Sequence, residues 1–335
     1  MPNPMSGIYK RLAEVGFDRK FVKDHVLPDW WDDELASNAP SRLIAECDIA
    51  RHLGLSLEQL DQPSIALSPK PVRDFRLKHS KGVTPADMLP AVVVAQRAAK
   101  LVLEIAKPLP PFSAMLSALE VRSRILRSSS RIDLESIVAF CWDQGIAILH
   151  LAPEHLPAKS KKFHGMTFFP DSHPVIVLAF GSDSPPWLAF HALHELGHLF
   201  EKHVEAGGLC LVDSEIDEVN DDPQEQAASV FAVELLTGDR AFDLPPCGDK
   251  LGRIVCSMEE LGRTLKVDPG SMALFFGRSS GNWKLAQMIL ARLREKEGAQ
   301  RTIADALVAH LDLEDIPDYV ERFLSCLSAQ VVKTA

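Results

Sequence analysis

The sequence predicts a mostly helical α+β chain, and three observations carry the prediction. Apolar residues recur at helical spacing through most of the first 142 residues and again beyond residue 185. Two short apolar stretches, 146–151 and 174–180, read as strands. Of the helical runs after the strands, one opens on Pro185 and Pro186, and the next opens on Pro223 and closes before Gly238. The chain has 335 residues, 46% of them hydrophobic, and a mean hydropathy of zero, so it can bury a substantial core.

The front, 6–64, reads as short helices. Ile49, Leu53, Leu55 and Leu60 surround Gly54, and Ser56 suits the N-cap of a following helix. The string I-A-R-H-L-G-L-S-L-E-Q-L has a helix-turn-helix shape, although many helical hairpins share it. In P-D-W-W-D-D, one of Trp30 and Trp31 is expected to be buried at a helix start, in preference to stacking on a base. A Pro/Ser-rich break at 63–71 leads into Lys70, Arg73, Arg76, Lys78, His79 and Lys81, with Asp74 the only acid. These form either a solvated face or a phosphate-contacting patch. A long helix follows over 85–106 and is stopped by Pro108, Pro110 and Pro111. Arg122, Arg124, Arg127 and Arg131 then run without an intervening acid.

A helix over 134–142 ends at Gly145, and the two strands come next. The better one, in H-P-V-I-V-L-A-F, could offer an edge to an extended peptide. Helices are expected from 185 to about 203 and from 223 to 236, with a second hairpin of helix-turn-helix shape at 257–277. The resulting organisation is a helix-turn-helix-like region 1–65, a basic connecting region 66–131, a core 132–240 and a helical region 241–335.

The net charge of −10 is unevenly spread. Residues 1–131 carry 19 Lys and Arg against 15 Asp and Glu, or +4, and residues 132–335 carry 17 against 31, or −14. The acidic half would repel nucleic acid, so any DNA contact is expected from 1–131. No apolar run reaches the roughly 18 residues of a spanning helix, and the first twenty residues lack the apolar stretch of a secretory signal. Six scattered cysteines with no C-x-x-C pair fit reduced thiols, so a cytoplasmic protein with no membrane contact is expected.

The chemistry is concentrated at His194-Glu195-Leu196-Gly197-His198, an H-E-x-x-H on a predicted helix. His194 and His198 leave one face about 40° apart and can take adjacent corners of a tetrahedral zinc site. Glu195 lies on the flank, where it can accept a proton from a metal-activated water attacking a carbonyl and pass it to a leaving amine. Composition alone would yield this motif in about 3% of such chains, and the preceding strand and apolar neighbours lower that further. A third ligand needs another element. Glu205, Asp213, Glu215, Asp217, Glu218, Asp221 and Asp222 read as a polar loop. Glu225 opens a helix whose Ala228, Phe231, Ala232 and Leu235 form a packed face, with Ala227 and Ala228 small enough for close approach. The plain alternative for Glu225 is an acid favoured by the helix N-terminus. His191 is an alternative ligand, a partner that orients one, or packing; His203, about 140° off the ligand face, reads as solvated. His164, His173 and Arg240 are the candidates for stabilising a transition state.

F-H-A-L-H-E-L-G-H-L-F, with V-I-V-L-A-F before it and E-Q-A-A-S-V-F-A-V-E-L-L after it, resembles the ImmA/IrrE family of metallopeptidases over about 132–240. Phe190, Glu225, Ala228, Phe231 and Ala232 are in register with that family's pattern. The resemblance implies a zincin-like core, zinc (or manganese) at His194, His198 and Glu225, and Glu195 as general base. It also implies a regulatory zinc metalloendopeptidase in stress or mobile-element control, cleaving a DNA-binding repressor or antitoxin-like protein. The front is similar to the XRE-like helical region to which such peptidases are fused. Ser229, Ala227 and the ending Leu-Leu-Thr-Gly depart from the pattern without removing a ligand. The competing expectation is a DNA- or partner-binding transcriptional regulator whose peptidase-like half senses a signal with little turnover.

Overall fold

Residues 3–67, 76–78, 84–170, 172–204, 211–213, 222–248, 250–293 and 297–327 are described by a computed structural model. Capping side chains set most of the front helices. Helices α1 (Ser6–Glu14) and α2 (Arg19–His25) are followed by a 3-10 turn, Asp33–Ser37. Asp18 caps α2 by accepting from the Phe21 amide, and Asn38 caps α3 (Ala39–Leu53) by accepting from Ser41. Gly54 takes the left-handed turn at φ 64°, and Ser56 and Gln59 form a capping box on α4 (Leu57–Asp61). The hairpin shape is therefore present, but its second helix has five residues, about one and a half turns.

The front is fastened at Trp31. Its indole N–H donates to the Tyr9 hydroxyl at 3.2 Å, and Trp31 is buried whereas Trp30 is 51% exposed. Tyr9 in turn donates to Asp33, which also accepts from Arg19 and from Lys23 at 3.1 Å. Burial alone would raise the Asp33 carboxyl, but these donors outweigh it and hold it at about 2.

Strand β1 (Arg76–Lys78) precedes the long α5 (Pro85–Ile105), then come α6 (Ala118–Ser128) and α7 (Leu134–Asp143). Lys70, Arg73, Asp74, His79 and Lys81 lie outside the described residues. The arginine run is largely engaged within the fold. Arg122 donates to the carbonyls of Leu235, Leu236 and Leu265, Arg124 to Gln144 and Arg131 to Asp133.

The sheet comprises β1, β2 (Ala147–His150), β3 (Gly165–Phe168), β4 (Val175–Leu178) and β5 (Leu211–Asp213), in spatial order β1-β5-β3-β4-β2. β2 pairs parallel with β4, β3 antiparallel with both β4 and β5, and β1 parallel with β5. The three strands β3, β4 and β2 are buried along their whole length. Corrections to the sequence reading follow. β1, β3 and β5 were not expected, and Asp213, read as part of a polar loop, ends β5. β4, expected to offer an edge, is bonded on both sides and has no edge to give.

Helix α8 (Pro185–Phe200) carries H-E-x-x-H and packs on the sheet, and α9 (Pro223–Thr237) packs on α8. Then come α10 (Leu251–Leu265), α11 (Pro269–Ser280), α12 (Trp283–Leu293), α13 (Ala299–His310) and α14 (Asp318–Leu327). The α10–α11 hairpin expected at 257–277 is present, with α11 buried from Gly270 to Phe275 against α8 and α10. A single buried apolar cluster runs from Met5 to Leu324, so the core is continuous across the expected boundaries at 65, 131 and 240. Among the described residues no helix is long and apolar enough to cross a membrane.

Candidate metal centre

Helix α8 forms because Pro185 and Pro186 occupy its first turn, where no amide donor is needed, and because its apolar residues are buried on nearly every side. That burial carries His194, Glu195 and His198 inward with it; they are 2%, 0% and 0% exposed. Helix α9 starts at Asp222, whose side chain accepts from the Gln224 amide, and this places Glu225 in the first turn, facing α8. Gly197 makes the approach possible: a Cβ there would stand 2.5 Å from the Ala228 carbonyl oxygen. Ala228 is buried and Ala227 half-buried, and the Phe200 and Phe231 rings stack at 5.6 Å along the same interface.

The ligand atoms of three residues converge as a result. His194 Nε2 lies 2.9 Å from Glu225 Oε2, His198 Nε2 lies 3.3 Å from Glu225 Oε1, and the two Nε2 atoms are 3.2 Å apart. A tetrahedral ion with bonds of about 2.0–2.1 Å holds its ligands about 3.3–3.4 Å apart. The spacing therefore fits one metal ion, and the group His194, His198 and Glu225 could hold one. All three expected ligands are brought together. Among the described residues no other His, Cys, Asp or Glu group has this convergence.

Glu195 is held from the sheet. Thr167 Oγ1 donates to its Oε2 at 2.5 Å, and a Cβ at Gly165 would stand 2.1 Å from its Oε1. Gly165 and Thr167 are two apart on β3 and so share one face, against α8. The carboxylate is thereby held in one orientation between α8 and β3. Neither residue was singled out from sequence, although small residues at period two in G-M-T-F before a buried helix are a readable signal.

The remaining candidates separate. His191 is buried, with its ring centroid 4.5 Å from Phe180 and 5.1 Å from His164, so it serves packing and stands outside the converging group. His164 packs edge-on to Phe180 as well. His173 Nδ1 meets the Gly145 carbonyl at 3.1 Å, and Arg240 is exposed. Ser229, one turn beyond Glu225, accepts from Arg278 of α11 at 2.5 Å. Glu205, Glu215, Asp217, Glu218 and Asp221 lie outside the described residues, as does the side chain of Asp213. His203 is half-buried rather than fully solvated as its helical-wheel position suggests: its Nδ1 lies 2.9 Å from His198 Nδ1. The wheel fails there because α8 stops at Phe200.

No family model, curated protein or solved structure matches the chain.

Proposed function

We propose that this protein is a zinc-dependent endopeptidase with a zincin-like core, regulatory in role, and that its substrate is a protein of the repressor or antitoxin class. The observation that carries the reading is the convergence of His194, His198 and Glu225, with Glu195, the residue after His194, anchored to Thr167. Two imidazoles and one carboxylate form a donor set suited to zinc, with manganese the alternative. When bound, such an ion polarises a peptide carbonyl and lowers the pKa of water. Glu195 takes a proton from the attacking water and returns it to the departing amine nitrogen. Thr167 keeps one carboxylate oxygen oriented while the other works. The resemblance of the H-E-x-x-H and Glu225 segments to the ImmA/IrrE family supports the regulatory substrate class.

One observation favours the second reading, a sensor or DNA- or partner-binding regulator with little turnover: Glu195 is 0% exposed, so a polypeptide reaches it only after the covering groups move. Two experiments decide. Metal analysis of the purified chain should find about one zinc per chain, and Glu195→Gln should keep it. Co-expression with a repressor encoded beside the gene should yield a shortened, chelator-sensitive product that Glu195→Gln abolishes. Zinc retained with no cleavage by the unsubstituted chain supports the sensor.

A further inference from the structure

The geometry points to His203 as a positioning residue of the metal centre: it accepts a hydrogen bond from His198 Nδ1 and so fixes the tautomer in which His198 Nε2 presents its lone pair to an ion. This deepens the metal reading of the site and rests on it. His198 Nε2 is the nitrogen that faces His194 Nε2 and Glu225, at 3.2 and 3.3 Å, so it is the ligand atom and must carry that lone pair. A neutral imidazole carries one ring proton, and here that proton belongs on Nδ1. His198 Nδ1 lies 2.9 Å from His203 Nδ1, an ordinary hydrogen-bond length, and between two ring nitrogens one must donate and the other accept. With the proton on His198 Nδ1, His203 is the acceptor and carries its own proton on Nε2.

The backbone is arranged for this contact. After α8 ends at Phe200, Lys202 adopts φ 58°, a left-handed conformation unusual for a non-glycine residue. The chain folds back on the last turn, Glu201 N–H donating to Gly197 O and His203 N–H to His198 O, both at 2.9 Å. His203 is thus tied to His198 through backbone and ring together, the two rings 5.2 Å apart at 58°. His198 is fully buried and His203 half-buried, so His203 stands on the outer side of the ligand. Ligating histidines in general give their second N–H to such an acceptor, and its loss weakens metal binding by about 10–100-fold.

The test is zinc affinity of the full chain, read by competition with a chromophoric chelator and independent of peptidase activity. His203→Leu removes the acceptor and should weaken zinc binding by about 10–100-fold. His203→Asn, whose Oδ1 takes the place of Nδ1, should restore it to within about threefold. Unchanged affinity in His203→Leu, or equal loss in both variants, overturns the proposal. A measurement on the unsubstituted, zinc-loaded chain covers the case in which His203→Leu does not fold. Ring nitrogen NMR should place the proton on His198 Nδ1, with a coupling across the hydrogen bond to His203 Nδ1; a proton on His198 Nε2 overturns it. An unsubstituted chain that takes up no zinc removes the metal centre itself, an outcome distinct from zinc held equally well without His203.

Discussion

Two of the histidine groups among the described residues make a useful contrast, because only one of them could hold a metal ion. His194 and His198 aim their Nε2 atoms at one another and at a buried carboxylate. His25, His52 and His155 instead line a narrow apolar cavity between α2, α3 and the turn before β3, with Phe21, Val94 and Phe323. There the His25 and His155 rings meet edge to face at 5.3 Å, and His52 Nδ1 donates to the Asp48 carbonyl of its own helix. Burial, and for His25 also the neighbouring His155, pushes the pKa of both His25 and His155 down. The difference is not the number of imidazoles but the acid. A carboxylate brought in on a second helix gives the nitrogen lone pairs a common focus, whereas rings without one pack as aromatic surfaces.

The largest expected effect comes from removing that acid. Glu225→Ala should reduce zinc affinity by more than the roughly 10–100-fold typical of an outer partner, because a direct ligand is lost. His155→Asn, in the other histidine group, should leave the zinc content untouched. Metal analysis after dialysis against a weak chelator reads both, and zinc lost from His155→Asn would erase the distinction. Next in size is the interface that delivers the acid. Gly197→Ala places a methyl group against the Ala228 backbone, so α9 must shift. Strain of this kind costs about 1–3 kcal/mol, and zinc affinity should fall with thermal stability. Stability lost with affinity kept would mean that the centre tolerates the displacement.

The comparison also explains what could be read from the sequence. Both ligand helices were legible with near-correct ends, because Pro185, Pro186, Pro223 and Gly238 punctuate them locally. H-E-x-x-H was legible because an i, i+4 pair needs no tertiary knowledge. Glu225 was legible as one of two readings, since only packing decides whether a first-turn acid faces a neighbour or solvent. Thr167 and His203 were missed for different reasons. β3 is four residues long and owes its existence to β4 and β5, so its role is a non-local fact. His203 was placed by extending a helix past its end, and the left-handed turn at Lys202, which no glycine announces, reverses the side chain's position. The apolar cavity of the second histidine group left no local signal, because His25, His52 and His155 are far apart in sequence and meet only through the continuous core.

Acid should destabilise the chain through the second histidine group. His25 and His155 have folded pKa values below the unfolded value of about 6.5, so the unfolded chain binds more protons as pH falls. The stability they allow is fully present above about pH 6.5 and is lost as pH drops through the lower folded values. The charged groups around them are Asp24 and Lys20 beside His25 and Glu154 beside His155. Unfolding temperatures of the zinc-free chain from pH 8 to 5 should fall less steeply in His155→Asn than in the unsubstituted chain. Parallel curves would show that His155 is not titrating inside the cavity.

The smallest effect is expected at the front fastening, where the same linkage runs with a carboxylate. Asp33 is held at about 2, below the roughly 3.9 of an unfolded aspartate, so its contribution is present above about pH 4 and lost between about 4 and 2. Its side chain is 16% exposed, but Arg19 and Lys23 are 60% and 39% exposed, so solvent and salt weaken both pairs. Asp33→Asn also keeps an oxygen that can accept from Tyr9. The cost at neutral pH should therefore be about 1 kcal/mol or less. In denaturant titrations the gap between Asp33→Asn and the unsubstituted chain should shrink in molar salt and close toward pH 2. A gap that survives at pH 2 would mean that Asp33 acts through packing beside Trp31 rather than through its charge.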